Sequence, residues 1–127
     1  MKKSSIEFED IIGRYLNISV ADENYRIYVE EAGKGIPLLC LHTAGSDGRQ
    51  FRHILNDKEI TKNYRVIAFD LPWHGKSNPP EGYELKDYKL TTSLYKQIIM
   101  SFCDNYKLLD PVTVSYTHLT LPTKVSV

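Results

Sequence analysis

Two short loops place histidine and carboxylate side chains among small residues, and each loop directly follows an apolar run. The first loop is His42 to Gly48, and the second is Asp70 to Ser77. Backbone N–H groups at the start of a helix face the carboxyl end of the preceding parallel strand, where they can bind an anion. A loop of this kind can therefore hold a phosphate or stabilise a negatively charged reaction intermediate.

The glycine spacing argues against a phosphate site in the first loop. Gly45 and Gly48 do not satisfy Gly-x-Gly-x-x-Gly, and no Gly-Lys-Ser/Thr follows them. The same absence argues against a dinucleotide-binding domain, which shares the alternation of strands and helices. The other interpretation is an oxyanion loop, in which a backbone N–H points at the negative oxygen of a tetrahedral intermediate.

The strands that position these loops are predicted from the apolar pattern. Apolar residues alternate from Tyr15 to Val20 and from Tyr25 to Val29, with a polar turn between them, which predicts an antiparallel hairpin. Leu38 to Leu41 and Val66 to Phe69 are apolar without alternation, which is typical of parallel strands covered on both faces. We expect these two strands to be adjacent and parallel.

A helix is predicted between those two strands. Phe51, Ile54 and Leu55 fall at helical spacing, and Ser46 and Asp47 are candidate capping residues just before them. Together with the flanking strands, this helix completes a strand, helix, strand unit.

A second helix follows, with an apolar stripe that should pack on one face of the sheet. Asp110-Pro111 is expected to end this helix, and Val112 to Val114 to begin another strand. The whole order predicts an α/β fold with a mostly parallel sheet and an N-terminal antiparallel hairpin. One row of the helix stripe consists of Leu94, Ile98, Phe102 and Tyr106.

Composition limits the classes of partner. The chain has 127 residues, 42% of them apolar, which suits one compact domain. Its 16 basic and 16 acidic residues balance, which argues against a nucleic-acid partner and a membrane surface. The longest apolar run, Ile36 to Leu41, is far shorter than the roughly 18 residues of a spanning helix.

Cysteine and histidine spacing indicates neither a metal site nor a disulfide framework. Cys40 and Cys103 lie far apart without ligand spacing, and we expect both to be buried and reduced. Glu7 interrupts the stretch where the apolar part of a signal peptide would lie, so a cytoplasmic location is expected.

The two loops together resemble the α/β-hydrolase superfamily. The first strand ends in His42 before a small-residue loop, and the second ends in Asp-x-x-x-His-Gly-x-Ser, from Asp70 to Ser77. The resemblance extends from about Tyr15 to Val114. It departs at Thr43, where the family commonly has Gly; a β-branched residue restricts this turn.

The resemblance implies an enzyme that uses a Ser, His and acid triad, without a cofactor, on a small-molecule ester, lactone or related carbonyl substrate. The N–H of Ala44 would be an oxyanion donor. The side chains of Asp70, His74 and Ser77, together with Gly75, would shape the second loop without reacting.

The nucleophile of that family is missing from these residues. No Gly follows Gly82, so the chain contains no Gly-x-Ser-x-Gly turn after Val114. The resemblance therefore implies that residues 1–114 are the N-terminal part of an incomplete α/β-hydrolase domain, without any catalytic residue of the triad and inactive as given. The alternative is a non-catalytic binding or interaction module that retains the sheet.

The C-terminal residues differ abruptly in composition from the rest of the chain. Ser115 to Thr123 is similar to the translation of sequencing-adapter DNA. We therefore expect residues 115–127 to form a tail without evolved structure.

Overall fold

The computed structural model describes residues 7–43, 45–80, 82, 84 and 91–115. Their order is an antiparallel strand pair followed by alternating strands and helices, which confirms the predicted α/β class. The elements are β1 (Ile12–Val20), β2 (Glu23–Ala32), β3 (Ile36–Leu41), a 3₁₀ helix (Gly48–Phe51), α1 (Arg52–Leu55), α2 (Lys58–Thr61), β4 (Tyr64–Phe69), α3 (Thr92–Asn105) and β5 (Val112–Ser115).

The described strands form one mixed sheet in the order β1-β2-β4-β3-β5. β1 and β2 make the predicted antiparallel hairpin, and β2 is also antiparallel to β4. β3 is parallel to both β4 and β5. The predicted parallel pairing is confirmed, because Leu38 pairs with Val66 and Leu41 pairs with Phe69.

The central strands lack alternation because both faces of the sheet are covered. Leu39 and Leu41 belong to the apolar cluster that contains the α3 side chains. Leu38 and Cys40 point the other way, into a cluster that contains Phe51 and Leu55. Burying one such side chain stabilises the fold by about 1.5–3 kcal/mol, so the two clusters hold the sheet between them.

Helix α3 lies on the sheet as its apolar stripe predicts. Its first turn is capped by Thr91, whose hydroxyl accepts a hydrogen bond from the Leu94 N–H at 3.0 Å. Ile98 and Phe102 are fully buried, and the Phe102 ring stacks on Phe69 of β4 at 4.2 Å between centroids. This contact anchors α3 to the sheet.

The expected end of α3 at Asp110-Pro111 was wrong. The helix ends at Asn105, because Lys107 takes a left-handed φ of 61° and reverses the chain. The Leu108 N–H then donates to the Cys103 carbonyl at 2.8 Å, which satisfies a carbonyl that the helix leaves open. The position usually held by Gly is here held by Lys, which is why the sequence gives no stop signal.

The prediction of a single helix after β3 was also wrong. The structure has three short helical segments there. Asp47 is the first cap, as predicted, and accepts from the Arg49 N–H at 2.9 Å. Asp57 supplies a second cap by accepting from the N–H groups of Glu59 and Ile60, so the chain restarts as α2. Ser46 is not the cap of the first segment.

The two cysteines differ in burial. Cys40 is fully buried, as expected, whereas Cys103 is only half-buried, and neither forms a disulfide. Strand β5 includes Ser115. Residues 116–127 of the expected tail lie outside the described residues, so that expectation stays a prediction.

Candidate functional site

The strand register brings the two loops to one edge of the sheet. Since Leu41 pairs with Phe69, His42 and Asp70 leave β3 and β4 at the same level. Both side chains are buried, with 1% and 6% of their surface exposed. Buried polar groups need hydrogen-bond partners, and each of the two finds one in its own loop and one in the loop that follows the neighbouring strand.

Asp70 joins the loops through its carboxylate. Oδ1 accepts a hydrogen bond from the Gly48 N–H at 2.7 Å, and Oδ2 accepts one from the Lys76 N–H at 2.8 Å. Hydrogen bonds to an ionised acceptor are about twice as strong as neutral ones. The Asp70 side chain thus has the shaping role that the resemblance implies.

Ser77 fastens the second loop to β2. Its hydroxyl donates to the Asp70 carbonyl at 2.6 Å and accepts from the Tyr28 N–H at 2.8 Å. The side chain is buried, and both uses of its oxygen are structural. Ser77 therefore shapes the loop, as expected, and is not placed to act as a nucleophile.

His42 is held as a neutral ring. Nε2 accepts a hydrogen bond from the Leu71 N–H at 2.9 Å, so the proton lies on Nδ1, which donates to the Thr43 carbonyl at 2.8 Å. Burial, with the nearby His74 ring adding to it, lowers the pKa of His42 below its usual 6.5. His42 is thus a structural link between the loops.

This buried ring predicts a loss of stability in acid. The unfolded His42 titrates near its ordinary pKa of 6.5, whereas the folded pKa is lower. Between these two values the unfolded state binds more protons, so the free energy of unfolding falls as the pH decreases below 6.5. His42→Gln keeps an acceptor near the position of Nε2 but does not titrate, so its stability should depend less on pH in this window.

Urea unfolding across this pH range, at low protein concentration, measures the difference. Parallel profiles for the wild type and His42→Gln would contradict the assignment. Asp47 does not contribute to the change in stability within this pH range, because the Arg49 guanidinium holds the pKa of that carboxyl down to about 2.

His74 mirrors His42 from the second loop. Its Nε2 accepts from the Gly45 N–H at 3.3 Å, so Nδ1 carries the proton and donates to the Pro72 carbonyl at 2.9 Å. The two ring centroids are 5.1 Å apart. Each histidine therefore accepts a backbone N–H from the loop of the other.

The first loop is also held from within. The Thr43 N–H donates to Gln50 Oε1 at 2.8 Å, and the Thr43 hydroxyl lies 3.3 Å from the same oxygen. The Ser46 N–H donates to the Thr43 carbonyl at 3.0 Å. Ala44, the predicted oxyanion donor, lies outside the described residues, and its role stays a prediction.

Neither cysteine is activated for attack. Burial raises the pKa of Cys40 to about 12, and burial together with Asp104 raises that of Cys103 to about 11. Both are thiols at neutral pH, and the thiolate is the nucleophile. In the part of the chain that the structure describes, no cluster of three or more His, Cys, Asp or Glu side chains could hold a metal ion. No helix in that part is long and apolar enough to cross a membrane.

Solved structures share this architecture. An alpha/beta hydrolase fold protein from Burkholderia ambifaria is 18% identical, with a TM-score of 0.61 over 84% of this chain and 38% of its own. This chain has part of the α/β-hydrolase fold. The epoxide hydrolase VrEH1 from Vigna radiata is 21% identical, with a TM-score of 0.65 over 87% of this chain and 33% of its own.

A higher identity is found with one lactonase of known structure. N-acyl homoserine lactonase AidH, solved with N-butanoyl homoserine, is 33% identical, with a TM-score of 0.64 over 79% of this α/β-hydrolase-fold chain and 35% of its own. The chain thus spans about a third of the length of the structures it matches. Neither a protein-family model nor a curated protein matches the sequence.

Two contributors to the site were missed by sequence reasoning. Gln50 anchors the Thr43 N–H, and β2 meets Ser77 through the Tyr28 N–H. The Gln50 contact has no signal in residue spacing, because a polar residue inside a short helix is ordinary. The Tyr28 contact depends on the pairing of β2 with β4, which a single strand pattern does not specify.

Proposed function

We propose that this α/β-hydrolase-fold chain belongs to a serine-type hydrolase of an ester, lactone or related carbonyl substrate, with the Ala44 N–H as an oxyanion donor. The complete enzyme would need no cofactor. The nucleophile, acid and general base would lie in residues that these 127 do not include.

One observation carries the proposal. Of the backbone N–H groups of residues 43–46, the three that the structure describes all donate inside the protein: Thr43 to Gln50, Gly45 to His74, and Ser46 to Thr43. An oxyanion donor from this loop would then be the N–H of residue 44. Its place after β3 is where the α/β-hydrolase fold supplies such a donor.

The chemistry follows from that placement. When a serine hydroxyl attacks the substrate carbonyl, the carbonyl oxygen becomes negative, and a fixed N–H stabilises it more than it stabilises the neutral carbonyl. A second donor would come from the residue after the nucleophile. Similarity to a lactonase at 33% identity favours the ester and lactone class.

Sequencing the gene beyond the codon for Val114 tests the proposal. We call the product of the resulting full reading frame the extended chain. It is expected to contain Gly-x-Ser-x-Gly directly after β5 and to hydrolyse a lactone or a short activated ester. Replacing the Ser of that motif by Ala should abolish turnover.

The 127-residue chain is the matched control, and it should show no hydrolysis above background because it lacks the nucleophile motif. Saturable hydrolysis by this shorter chain, abolished by a point substitution, would contradict the proposal. A verified stop codon near residue 127 would favour the non-catalytic binding module instead. The cytoplasmic location expected from the sequence stays a prediction.

A further inference from the structure

We propose that His74 is a positioning residue that sets the orientation of the oxyanion loop through its hydrogen bond to the Gly45 N–H. This inference rests on the proposed function for its catalytic consequence. Its structural half can be measured without any activity.

The contact is part of a reciprocal arrangement. His42, in the first loop, accepts the Leu71 N–H of the second, while His74, in the second loop, accepts the Gly45 N–H of the first. The distances are 2.9 and 3.3 Å, and both rings carry their proton on Nδ1. Crossed bonds of this kind resist sliding of one loop past the other in either direction.

The Gly45 nitrogen belongs to the peptide that joins it to Ala44. Fixing its N–H direction therefore limits the orientation of that peptide plane, because the peptide is planar. That peptide carries the Ala44 carbonyl, whereas the Ala44 N–H belongs to the preceding peptide, whose Thr43 carbonyl accepts from His42 Nδ1 at 2.8 Å and from the Ser46 N–H at 3.0 Å. Described residues thus hold a group of each of these two peptides, and among these contacts the one from the other loop is that of His74.

His74 also holds this contact at a position that needs rigid support. Gly45 has a left-handed φ of 83°, and, its chain neighbours aside, no atom of the residues that the structure describes lies within 4 Å of the place where its Cβ would be. Those residues therefore do not fix Gly45 by packing on that side. The hydrogen bond to His74 replaces the missing packing as the restraint.

Two substitutions separate the ring nitrogens. His74→Gln places an amide oxygen near the position of Nε2, so it can still accept the Gly45 N–H. His74→Asn places its amide near the position of Nδ1, so it can keep the Pro72 contact but cannot reach Gly45. The pair is matched in polarity and differs in the contact at issue.

Nuclear magnetic resonance on the 127-residue chain tests the structural half. The nitrogen shifts of His74 should show an unprotonated Nε2, and the Gly45 amide signal should move in His74→Asn but much less in His74→Gln. The Leu71 amide, held by His42, should stay in place in both. An unmoved Gly45 signal in His74→Asn would overturn the proposal.

Kinetics on the extended chain tests the catalytic half. His74→Asn should lower kcat by on the order of tenfold, the worth of one hydrogen bond, with KM and the unfolding temperature nearly unchanged. His74→Gln should restore most of kcat. Equal kcat losses in the two variants, or a loss confined to KM, would contradict positioning.

The two arms distinguish the two proposals. If the extended chain has no turnover, the proposed function fails, and His74 is judged by the Gly45 signal alone. If it turns over but His74→Asn is fully active, His74 is not a positioning residue while the hydrolase proposal stands.

Discussion

Ala44→Pro in the extended chain is expected to lower kcat by on the order of 100- to 1,000-fold, the effect of removing one oxyanion donor. Proline has no backbone N–H, so the substitution deletes the proposed donor and leaves every triad residue in place. Initial rates on a lactone or a short activated ester measure the loss. KM should change less than kcat, because the donor acts on a charge that exists only in the transition state.

Ala44→Gly is the matched control for backbone effects. It keeps the N–H and frees the backbone rather than restricting it, so it should retain much more activity. Equal losses in the two variants would show that loop geometry, rather than the donor, is responsible. An active Pro variant with an unchanged circular dichroism spectrum would remove Ala44 from the mechanism. The N–H groups of Thr43, Gly45 and Ser46 are used internally, so none of these three would take its place as the donor.

The parts of the fold that could be predicted from sequence are those whose burial is simple. Leu38–Leu41 and Val66–Phe69 are unbroken apolar runs because both faces of the central strands are covered. The hairpin alternates because one of its faces is buried. Its far end was not predicted, because Glu30 and Glu31 of β2 interrupt the pattern.

Glu31 is compatible with the sheet only because of partners distant in sequence. It accepts hydrogen bonds from Arg65 of β4, from Arg14 of β1 and from the Tyr106 hydroxyl after α3. Burial alone would raise the pKa of Glu31, but the hydrogen bonds from Arg65 and Tyr106 bring it below its usual value. A residue pattern within one strand cannot reveal such a cluster.

The candidate site, like the fold, could be predicted from sequence only in part. The loops themselves could be predicted, because each follows an apolar run that ends in a polar residue. Their crossed contacts could not, since the reach of His74 to Gly45 depends on the register of β3 against β4. Once the register is known, His42 and Asp70 must lie side by side, and the hydrogen bonds between the loops follow.

Gly75→Ala is expected to destabilise the chain by about 3–5 kcal/mol, through Asp70. Gly75 has a φ of 52°, and a Cβ there would lie 2.3 Å from Asp70 Oδ2 and 2.7 Å from its Cγ. The carboxylate would have to move away from the Gly48 and Lys76 N–H groups, which donate hydrogen bonds to it. Leaving these two N–H groups without their acceptor costs about 2–3 kcal/mol together, near the low end of the range because Lys76 is exposed, and left-handed strain adds about 1–2 kcal/mol.

Gly45→Ala separates strain from collision. Its φ of 83° is at least as unfavourable for alanine, but among the described residues beyond its chain neighbours no atom lies within 4 Å of the added Cβ. It should cost only the strain, about 1–2 kcal/mol. Urea unfolding of both variants gives the comparison. Equal losses would show that the Asp70 carboxylate adjusts without cost.

A double-mutant cycle with Asp70→Ala then tests whether the stability loss in Gly75→Ala arises at the Asp70 carboxylate. Asp70→Ala removes the group that the new methyl strikes, but it also leaves the Gly48 and Lys76 N–H groups without their acceptor. Gly75→Ala added to that background should cost the strain and the remaining 2.9 Å contact of the new Cβ with Asp47 Cβ, but not the two hydrogen bonds, because they are already gone. The two losses should therefore be strongly less than additive, by about 2 kcal/mol. Additive losses would mean that Gly75 is required for a reason other than the space the Asp70 carboxylate occupies.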